Sequence, residues 1–266
     1  MFIKEIKRSV INIRFLGVVI LSVIFMFLSS KDSSWGNVIG NTSDLTSSQL
    51  ETLKEIYLNR YLIWSKGYFY IKSLFPLAIG LPYIYSYVCE RENNASLFIK
   101  MRSGLKKYNF SKFLAVGISG ALVLALPELI YNLLILLFAG NEVSTHISLE
   151  PIYWKNHLIQ MSLNTRVYFT IGMHLLFGFS FACFAQGIST FFKNKISVYF
   201  GLFGIYLIYD IIVTSIVNIP YISITNTYDV LYQQYNIFSS LIVMLVMVII
   251  GSILFKINEI KAFMHA

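Results

Sequence analysis

Val230–Phe255, VLYQQYNIFSSLIVMLVMVIIGSILF, contains no charged side chain. A helix rises about 1.5 Å per residue, so about 20 apolar residues cross the ~30 Å hydrocarbon layer of a bilayer. The run is too long and too continuous for a membrane β-strand, which would alternate over about ten residues. Because backbone groups in lipid must bond within their own segment, we predict a membrane-spanning helix at about 236–255.

The rest of the chain repeats this pattern. Further uncharged runs cover 15–30, 73–89, 113–127, 129–141, 167–192, 196–209 and 211–228. Glu128 and Asp210 each interrupt what would otherwise be one long run, so we join the runs on either side of each acid. The sequence therefore predicts six spans, at about 12–30, 67–89, 112–138, 166–191, 196–217 and 236–255.

The composition excludes an ordinary soluble domain. Of the 266 residues, 56% are hydrophobic and only 13% are charged, whereas soluble domains carry about 25% charged residues. One small core could not bury this much apolar surface, so lipid must solvate much of it. We predict an all-α polytopic membrane protein in which residues 1–266 form a single transmembrane domain.

The distribution of positive charge orients the chain. The formal net charge is +8, and the segments 1–14, 91–112, 193–195 and 256–261 hold 14 of the 21 Lys and Arg residues. The positive-inside rule places these segments, and both termini, in the cytoplasm. This predicts a multi-pass protein of the bacterial inner membrane. Topology and anionic lipid explain the basic excess, so no nucleic-acid partner is expected.

The N-terminal segment has an amphipathic pattern. Residues 2–13 place Phe2, Ile3, Ile6, Val10 and Ile13 on one helical face, with charged residues on the others. This pattern predicts a helix lying in the membrane interface before the first span. The alternative is that the first span begins earlier.

The segment between the first two spans, 31–66, is predicted to be external. Ser48 and Glu51 have capping-box spacing, which predicts a helix beginning near Ser48 with one apolar face. Two further external segments follow, at 139–165 and 218–235. His146 and His157 lie in the first of them, but no other ligand has convincing spacing, so no metal site is predicted.

The cytoplasmic loop between the second and third spans has an unusual composition. Cys89–Phe113 reads CERENNASLFIKMRSGLKKYNFSKF. It mixes charges of both signs with Leu97, Phe98, Ile99 and Met101, whereas a loop that only returned the chain could be short and polar. This composition predicts a short helix that docks on another protein.

The same loop resembles the ABC-2 type permease family of ABC transporters. Many members carry an E-R-E … R … K-K-Y-x-x-S-K pattern after the second span. Members often have a glycine after the acidic pair, where this chain has Asn93-Asn94-Ala95-Ser96. The match covers about 25 residues, and six spans with an amphipathic N-terminal helix are similar to the family. The matching residues are Glu90, Arg91, Glu92, Arg102, Lys106, Lys107, Tyr108, Ser111 and Lys112.

The resemblance implies a permease subunit that exports a hydrophobic or amphipathic substrate, such as a peptide or a lipid-like molecule. It implies that the 90–112 loop is a coupling helix, that two copies of a separate ATPase subunit bind it, and that a second permease completes a dimer. ATP and Mg would be bound by the ATPase. The coupling contact is assigned by resemblance to Glu90, Arg91, Glu92, Leu97, Phe98, Arg102, Lys106 and Tyr108.

The chain lacks the motif needed to hydrolyse ATP. A P-loop requires Gly-Lys followed by Ser or Thr, and none of the 15 glycines precedes a lysine. The chain is therefore expected not to be an enzyme, and no cofactor is expected in it.

Two acids fall inside predicted spans. Glu128 and Asp210 would each lie roughly 21–23 Å from the cytoplasmic side, in the outer half of the bilayer. An acid there is costly unless it is paired or hydrated. One interpretation is that both face a water-filled pathway or the interface between two permeases. The alternative is local satisfaction, for example by Tyr131, Asn132 or Tyr206, or exposure at the outer boundary.

Two other functions compete with transport. Gly117-Ile118-Ser119-Gly120 matches the Gly-x-Ser-Gly motif of rhomboid intramembrane proteases, and His174 could be the base. Their predicted depths differ by roughly 8 Å, however, and a serine nucleophile needs its base within hydrogen-bond reach. The alternative for Gly117 and Gly120 is close helix packing. The second competitor is a non-transporting accessory or immunity protein, which would lack an adjacent gene for a P-loop ATPase.

Overall fold

A computed structural model describes residues 1–36, 38, 46–93, 95–138, 152–154, 157–159, 161–231 and 235–264. In this part of the chain most residues are helical. The α-helices are α1 (Phe2–Val10), α2 (Ile13–Ser30), α3 (Ser47–Tyr57), α4 (Arg60–Lys66), α5 (Tyr68–Tyr83), α6 (Tyr85–Glu92), α7 (Ala95–Ser103), α8 (Leu105–Phe138), α9 (Leu163–Ser189), α10 (Lys195–Ile211), α11 (Ile224–Tyr228) and α12 (Ile237–Met264).

Shorter elements extend or join these helices. π-Helical turns at Lys31–Trp35 and Ile212–Ile216 continue α2 and α10, and a 3-10 turn at Pro220–Ile222 precedes α11. Two three-residue strands, β1 (Ile152–Trp154) and β2 (His157–Ile159), form an antiparallel hairpin between α8 and α9.

Five helical segments in the described residues are long and apolar enough to cross a membrane. Their mean hydropathy over an 18-residue window lies between 1.6 and 2.8. The chain is therefore a polytopic membrane protein, as predicted. The five segments are Ile13–Trp35, Leu105–Phe138, Leu163–Ser189, Lys195–Ile216 and Ile237–Ile260.

The predicted span at 67–89 is not one helix of spanning length. It is divided at Ile84 into α5 and α6. Pro76 and Pro82 lie inside α5. Proline has no N–H to donate and its ring crowds the preceding turn, so Pro82 weakens the helical ladder two residues before the division. Ile84 keeps helical dihedrals, φ −57° and ψ −39°.

Helix α5 runs antiparallel to α2. At one end, the Ser29 hydroxyl of α2 donates to the carbonyl of Lys66, just before α5, at 2.6 Å. At the other end, the Tyr83 hydroxyl of α5 donates to Glu5 of α1, just before α2. Helix α5 therefore lies alongside α2 between these two contacts.

Close contacts between glycines hold α8, α9 and α12 together. A Cβ added to Gly178 of α9 would lie 2.5 Å from the carbonyl oxygen of Gly120 of α8, and one on Gly117 would lie 2.6 Å from the Phe179 ring. A Cβ on Gly187 of α9 would lie 2.5 Å from the Gly251 oxygen of α12. The prediction that Gly117 and Gly120 serve close helix packing is confirmed.

The N-terminal helix buries two polar side chains against the bundle. Glu5 and Ser9 are buried against the bundle, whereas Phe2, Ile3 and Ile13 are exposed. Helix α1 ends at Val10, and α2 begins at Ile13 after an N-cap in which Asn12 accepts from the Phe15 N–H. The predicted amphipathic helix is therefore present and separate from the first span, and of its apolar residues Ile6 and Val10 pack against the core while Phe2 and Ile3 are exposed.

The external segment contains two helices where one was predicted. The predicted cap at Ser48 was two residues late, because α3 begins at Ser47 with Thr46 as N-cap and the Gln49 side chain accepts from the Thr46 N–H at 3.0 Å. Helix α4 follows, capped by Asn59. Residues 39–45 of this segment, and His146 of the next external segment, lie outside the described residues.

Candidate coupling surface and buried ionic networks

The predicted coupling loop folds as α6, α7 and the first turns of α8. In α7, Ser96 and Lys100 are buried against the bundle. Phe98 and Met101, which are three residues apart and so share a helix face, are 72% and 73% exposed. One side of α7 is therefore anchored, and the other presents large apolar side chains to the surroundings.

A buried ion pair anchors α7 to the C-terminal helix. The Lys100 ammonium lies 2.8 Å from a Glu259 carboxylate oxygen, and both side chains are almost fully buried. The Tyr87 hydroxyl of α6 donates to the other Glu259 oxygen at 2.6 Å. Glu259 of α12 thus joins α6 and α7 at one point.

A second network surrounds Glu90 at the end of α6. Its carboxylate accepts from Arg8 at 2.6 Å, from the Lys112 ammonium at 2.8 Å and from the Tyr108 hydroxyl at 2.9 Å. Lys112 is fully buried and also lies 3.5 Å from Glu5. The network ties α1, α6 and α8 together.

The Arg8 guanidinium forms the exposed edge of this network. Partial burial disfavours its charge, but Glu90, Tyr83 and Glu5 outweigh that effect and raise the pKa of Arg8 above its ordinary value. Arg8 therefore stays charged and helps to neutralise the two carboxylates beside it.

Arg91 links α6 to the end of α9. Its Nη1 donates to the Thr190 carbonyl at 3.0 Å, and its Nη2 donates to the Phe192 carbonyl. These carbonyls follow the last turn of α9 and have no helical partner, so the guanidinium caps the helix. The Asn258 amide of α12 adds a 2.6 Å bond to the Thr190 hydroxyl.

The structure divides the eight predicted coupling residues by exposure. Glu90 and Tyr108 are buried and bonded within the chain, so they are not part of the exposed surface. Arg91 and Leu97 are half-buried. The exposed members are Glu92, Phe98, Arg102 and Lys106.

Sequence reasoning missed the partners that position this loop. Lys100 was counted only as a positive-inside charge, Lys112 as such a charge and as part of the loop motif, and Glu5 only as part of the charged face of α1. Glu259 offered a signal, because it is the only acid after residue 230, in a segment that is otherwise apolar or basic. A single acid of this kind indicates a buried partner.

Glu128, one of the two acids inside predicted spans, pairs with His174. Its Oε1 lies 2.6 Å from His174 Nδ1, and His174 Nε2 lies 2.8 Å from the Tyr228 carbonyl. Both side chains are buried, and the Tyr228 ring stacks on the imidazole at 4.4 Å. Burial, followed by the charges of Glu128 and Asp229, raises the pKa of Tyr228 well above its ordinary value.

Asp210, the second acid, fixes the loop before α11. One carboxylate oxygen accepts from the Ser223 hydroxyl at 2.7 Å and from the Thr225 N–H at 3.2 Å. The other accepts from the Thr225 hydroxyl at 2.6 Å. Both intramembrane acids therefore have partners within the chain, and a role in a substrate pathway stays a prediction.

Ser119 and His174 do not form a nucleophile and base pair. The Ser119 hydroxyl donates to the Ser9 carbonyl at 3.3 Å, and both ring nitrogens of His174 have other partners. His174 lies beside Glu128, which is nine residues from Ser119, or about 13 Å along α8. The geometry required for the rhomboid interpretation is absent from this arrangement.

Neutralising the two acids should have unequal effects. We expect Glu128→Gln to lower stability by about 1–3 kcal/mol, because the buried imidazole loses a charged partner. We expect Asp210→Asn to cost less than about 1 kcal/mol, because the half-buried amide oxygen can still accept from Ser223. Thermal unfolding of the purified variants measures both. If neither variant alters transport at normal abundance, the pathway interpretation is wrong.

Comparison with protein-family models, curated proteins and solved structures finds no match to this chain. The likeness to ABC-2 permeases therefore rests on the loop motif and on the pattern of spans. What is established is a helical, polytopic membrane protein with a surface-exposed apolar helix face on α7.

Proposed function

We propose that this chain is the membrane-spanning permease subunit of an ABC-2 type exporter, with a separate P-loop ATPase bound to α7. Two ATPase copies would bind ATP and Mg and act on a pair of permeases. The substrate would be hydrophobic or amphipathic, such as a peptide or a lipid-like molecule. The observation that carries the proposal is the exposed face of α7, formed by Phe98 and Met101.

The position of α7 supports this proposal. It lies in the most basic loop, which the positive-inside rule assigns to the cytoplasm. Large exposed apolar side chains flanked by charges are typical of binding hot spots and their rims. Glu92 and Arg102 are also exposed, and Arg102 lies four residues after Phe98 on the same helix, so these two charges would supply such a rim. We therefore assign the docking surface to Glu92, Phe98, Met101, Arg102 and Lys106.

The buried residues of the loop have a different role in this proposal. The Lys100–Glu259 pair joins α7 to α12, and the Arg91 contacts join α6 to the end of α9. An ATPase that displaced α7 would therefore act on α12 directly and on α9 through α6. Glu90 and Tyr108 would hold α6 in place and would not touch the partner.

The proposal includes six crossings, with α5 and α6 together forming the second. Helix α5 lies between contacts to Ser29 of α2 and Glu5 of α1, and the two helices contain no acid before Glu90. If each of the five long helical segments also crosses once, the six crossings return the C-terminal helix to the same side as α1. The Lys100–Glu259 contact fits this arrangement, because it places the end of α12 beside the cytoplasmic loop.

Purification from membranes tests the proposal. We expect a P-loop ATPase to co-purify with the tagged chain, and Phe98→Ala with Met101→Ala to reduce it at least tenfold, because hot-spot side chains contribute about 2 kcal/mol or more each. Phe69→Ala is the matched control, since Phe69 is equally exposed at the other end of the bundle. Quantitative mass spectrometry of the eluate provides the measurement.

Two results would contradict the docking surface. One is recovery of no P-loop ATPase with the unaltered chain, and the other is undiminished recovery with the double variant. Charge reversal by Glu92→Lys should weaken recovery as well, because Glu92 belongs to the exposed rim. Loss of recovery with Phe69→Ala would show that the effect is not specific to α7.

A further inference from the structure

The side chain of Arg166 is buried without an ion-pair partner in the described part of the chain. It lies in the first turns of α9, at the end of the bundle opposite α7, and is only 6% exposed. Its Nε has no hydrogen-bond partner, and its guanidinium carbon lies 5.4 Å from the centre of the Tyr61 ring. A buried guanidinium without a counter-charge is costly, so this position favours an anionic ligand.

A second arginine, Arg60 of α4, precedes the Tyr61 whose ring contacts Arg166. Arg60 Nη1 donates to the Asn164 side chain at 3.1 Å, and Nη2 donates to the Asn132 side chain at 3.0 Å. Asn164 is in the first turn of α9, two residues before Arg166. Arg60 is half-buried, and its bond to Asn164 is at the surface, so the site can be reached from outside. The start of the 27-residue α9 adds the positive end of a helix dipole.

Three of the acids described at this end of the bundle have other partners. Glu128 of α8 pairs with His174, Asp229 pairs with Lys72 at 2.6 Å, and Asp32 accepts from the Tyr70 hydroxyl at 2.6 Å. Not one of the ion pairs found in the described residues includes Arg166. Within the described residues, the charge on Arg166 therefore has no carboxylate partner and is left for another group.

We propose that Arg166 and Arg60 bind the phosphate of a lipid headgroup. Guanidinium groups match phosphate oxygens in geometry as well as charge. The site lies where α8 ends and α9 begins, and the ends of spanning helices reach the headgroup layer of the bilayer. A phospholipid in that layer presents its phosphate at this depth. This inference does not depend on the proposed transport function.

Thermal unfolding of delipidated protein in an uncharged detergent tests the proposal. We expect short-chain phosphatidylglycerol to raise the melting temperature by several degrees, because a ligand that binds only the folded state stabilises it. Short-chain diacylglycerol, which lacks the phosphate, should leave it unchanged. Arg166→Gln should lose at least half of the shift. Lys66→Gln is the matched control, because Lys66 is an exposed cation at the same end of the bundle, and it should keep the shift.

The outcomes separate the sources of the phosphate. Inorganic phosphate that stabilises as well as phosphatidylglycerol would overturn the lipid as the ligand. An equal shift in Arg166→Gln, or no shift in the unaltered protein, would overturn the site itself. If Arg166→Gln does not fold, Arg166→Lys serves instead, because it keeps the charge but loses the bidentate geometry. A shift in Arg166→Lys equal to that of the unaltered protein would also count against the proposal.

Discussion

Lys112→Met should leave little folded protein in the membrane. Lys112 is fully buried and lies 2.8 Å from Glu90 and 3.5 Å from Glu5. Its removal leaves two carboxylates with only the exposed Arg8 as a counter-charge. Breaking a buried ion pair by removing one partner typically costs about 3–5 kcal/mol, which is a large part of the stability of a single domain.

The abundance of the membrane-inserted chain and its thermal unfolding in detergent measure this effect. Lys107→Met is the control, because Lys107 is an exposed lysine on the same helix, and it should change stability by less than about 0.5 kcal/mol. Adding Glu90→Gln to Lys112→Met should recover part of the loss, since it removes one of the stranded charges. A Lys112→Met protein as stable as the Lys107→Met protein would contradict the network described around Glu90.

Gly178→Ala should separate the two central helices, whereas Gly172→Ala should be tolerated. The new Cβ at 178 would lie 2.5 Å from the Gly120 carbonyl oxygen. This oxygen belongs to the backbone, so it cannot move away by adopting another rotamer. A Cβ at 172, on the same helix, meets nothing within 4 Å. We expect a loss near the upper end of the roughly 1–3 kcal/mol range for overpacking at 178.

Both glycines lie on α9, so comparing Gly178→Ala with Gly172→Ala removes the effect of helix propensity. Replacing a helical glycine by alanine favours the helix by about 0.5–1 kcal/mol at either position, so Gly172→Ala should be neutral or slightly stabilising. Melting temperatures of the two purified variants provide the measurement. Equal melting temperatures would show that α8 and α9 are not in backbone contact at Gly120.

The sequence predicted the membrane-spanning segments well because their signal is local. Five of six predicted spans correspond to single long helices, since an uncharged run of sufficient length has few alternatives in a bilayer. The predicted span at 67–89 differs because prolines decide where a helix divides, and their effect depends on the packing around them. The two prolines indicated a kink, but they did not specify the division at Ile84.

The loop at 89–113 shows where sequence reasoning stops. Its composition correctly indicated a short helix, because charged and apolar residues were mixed in a segment too long for a simple turn. The orientation of that helix depends on Glu259 and Lys112, and on contacts between residues far apart in the chain. Glu90 resembled an exposed docking residue in sequence, yet Arg8, 82 positions away, helps to bury it. Contacts between residues this far apart in the chain leave no recognisable pattern in a single sequence.

The Lys100–Glu259 pair also has a consequence for biosynthesis. Lys100 leaves the ribosome 159 residues before Glu259, the acid that neutralises it. Until α12 has been inserted, α7 has no anchor on one side, and the buried ammonium must remain in water. The surface formed by Phe98 and Met101 therefore matures last, after every helix has entered the bilayer, and a chain interrupted before Glu259 would not present it in its final position.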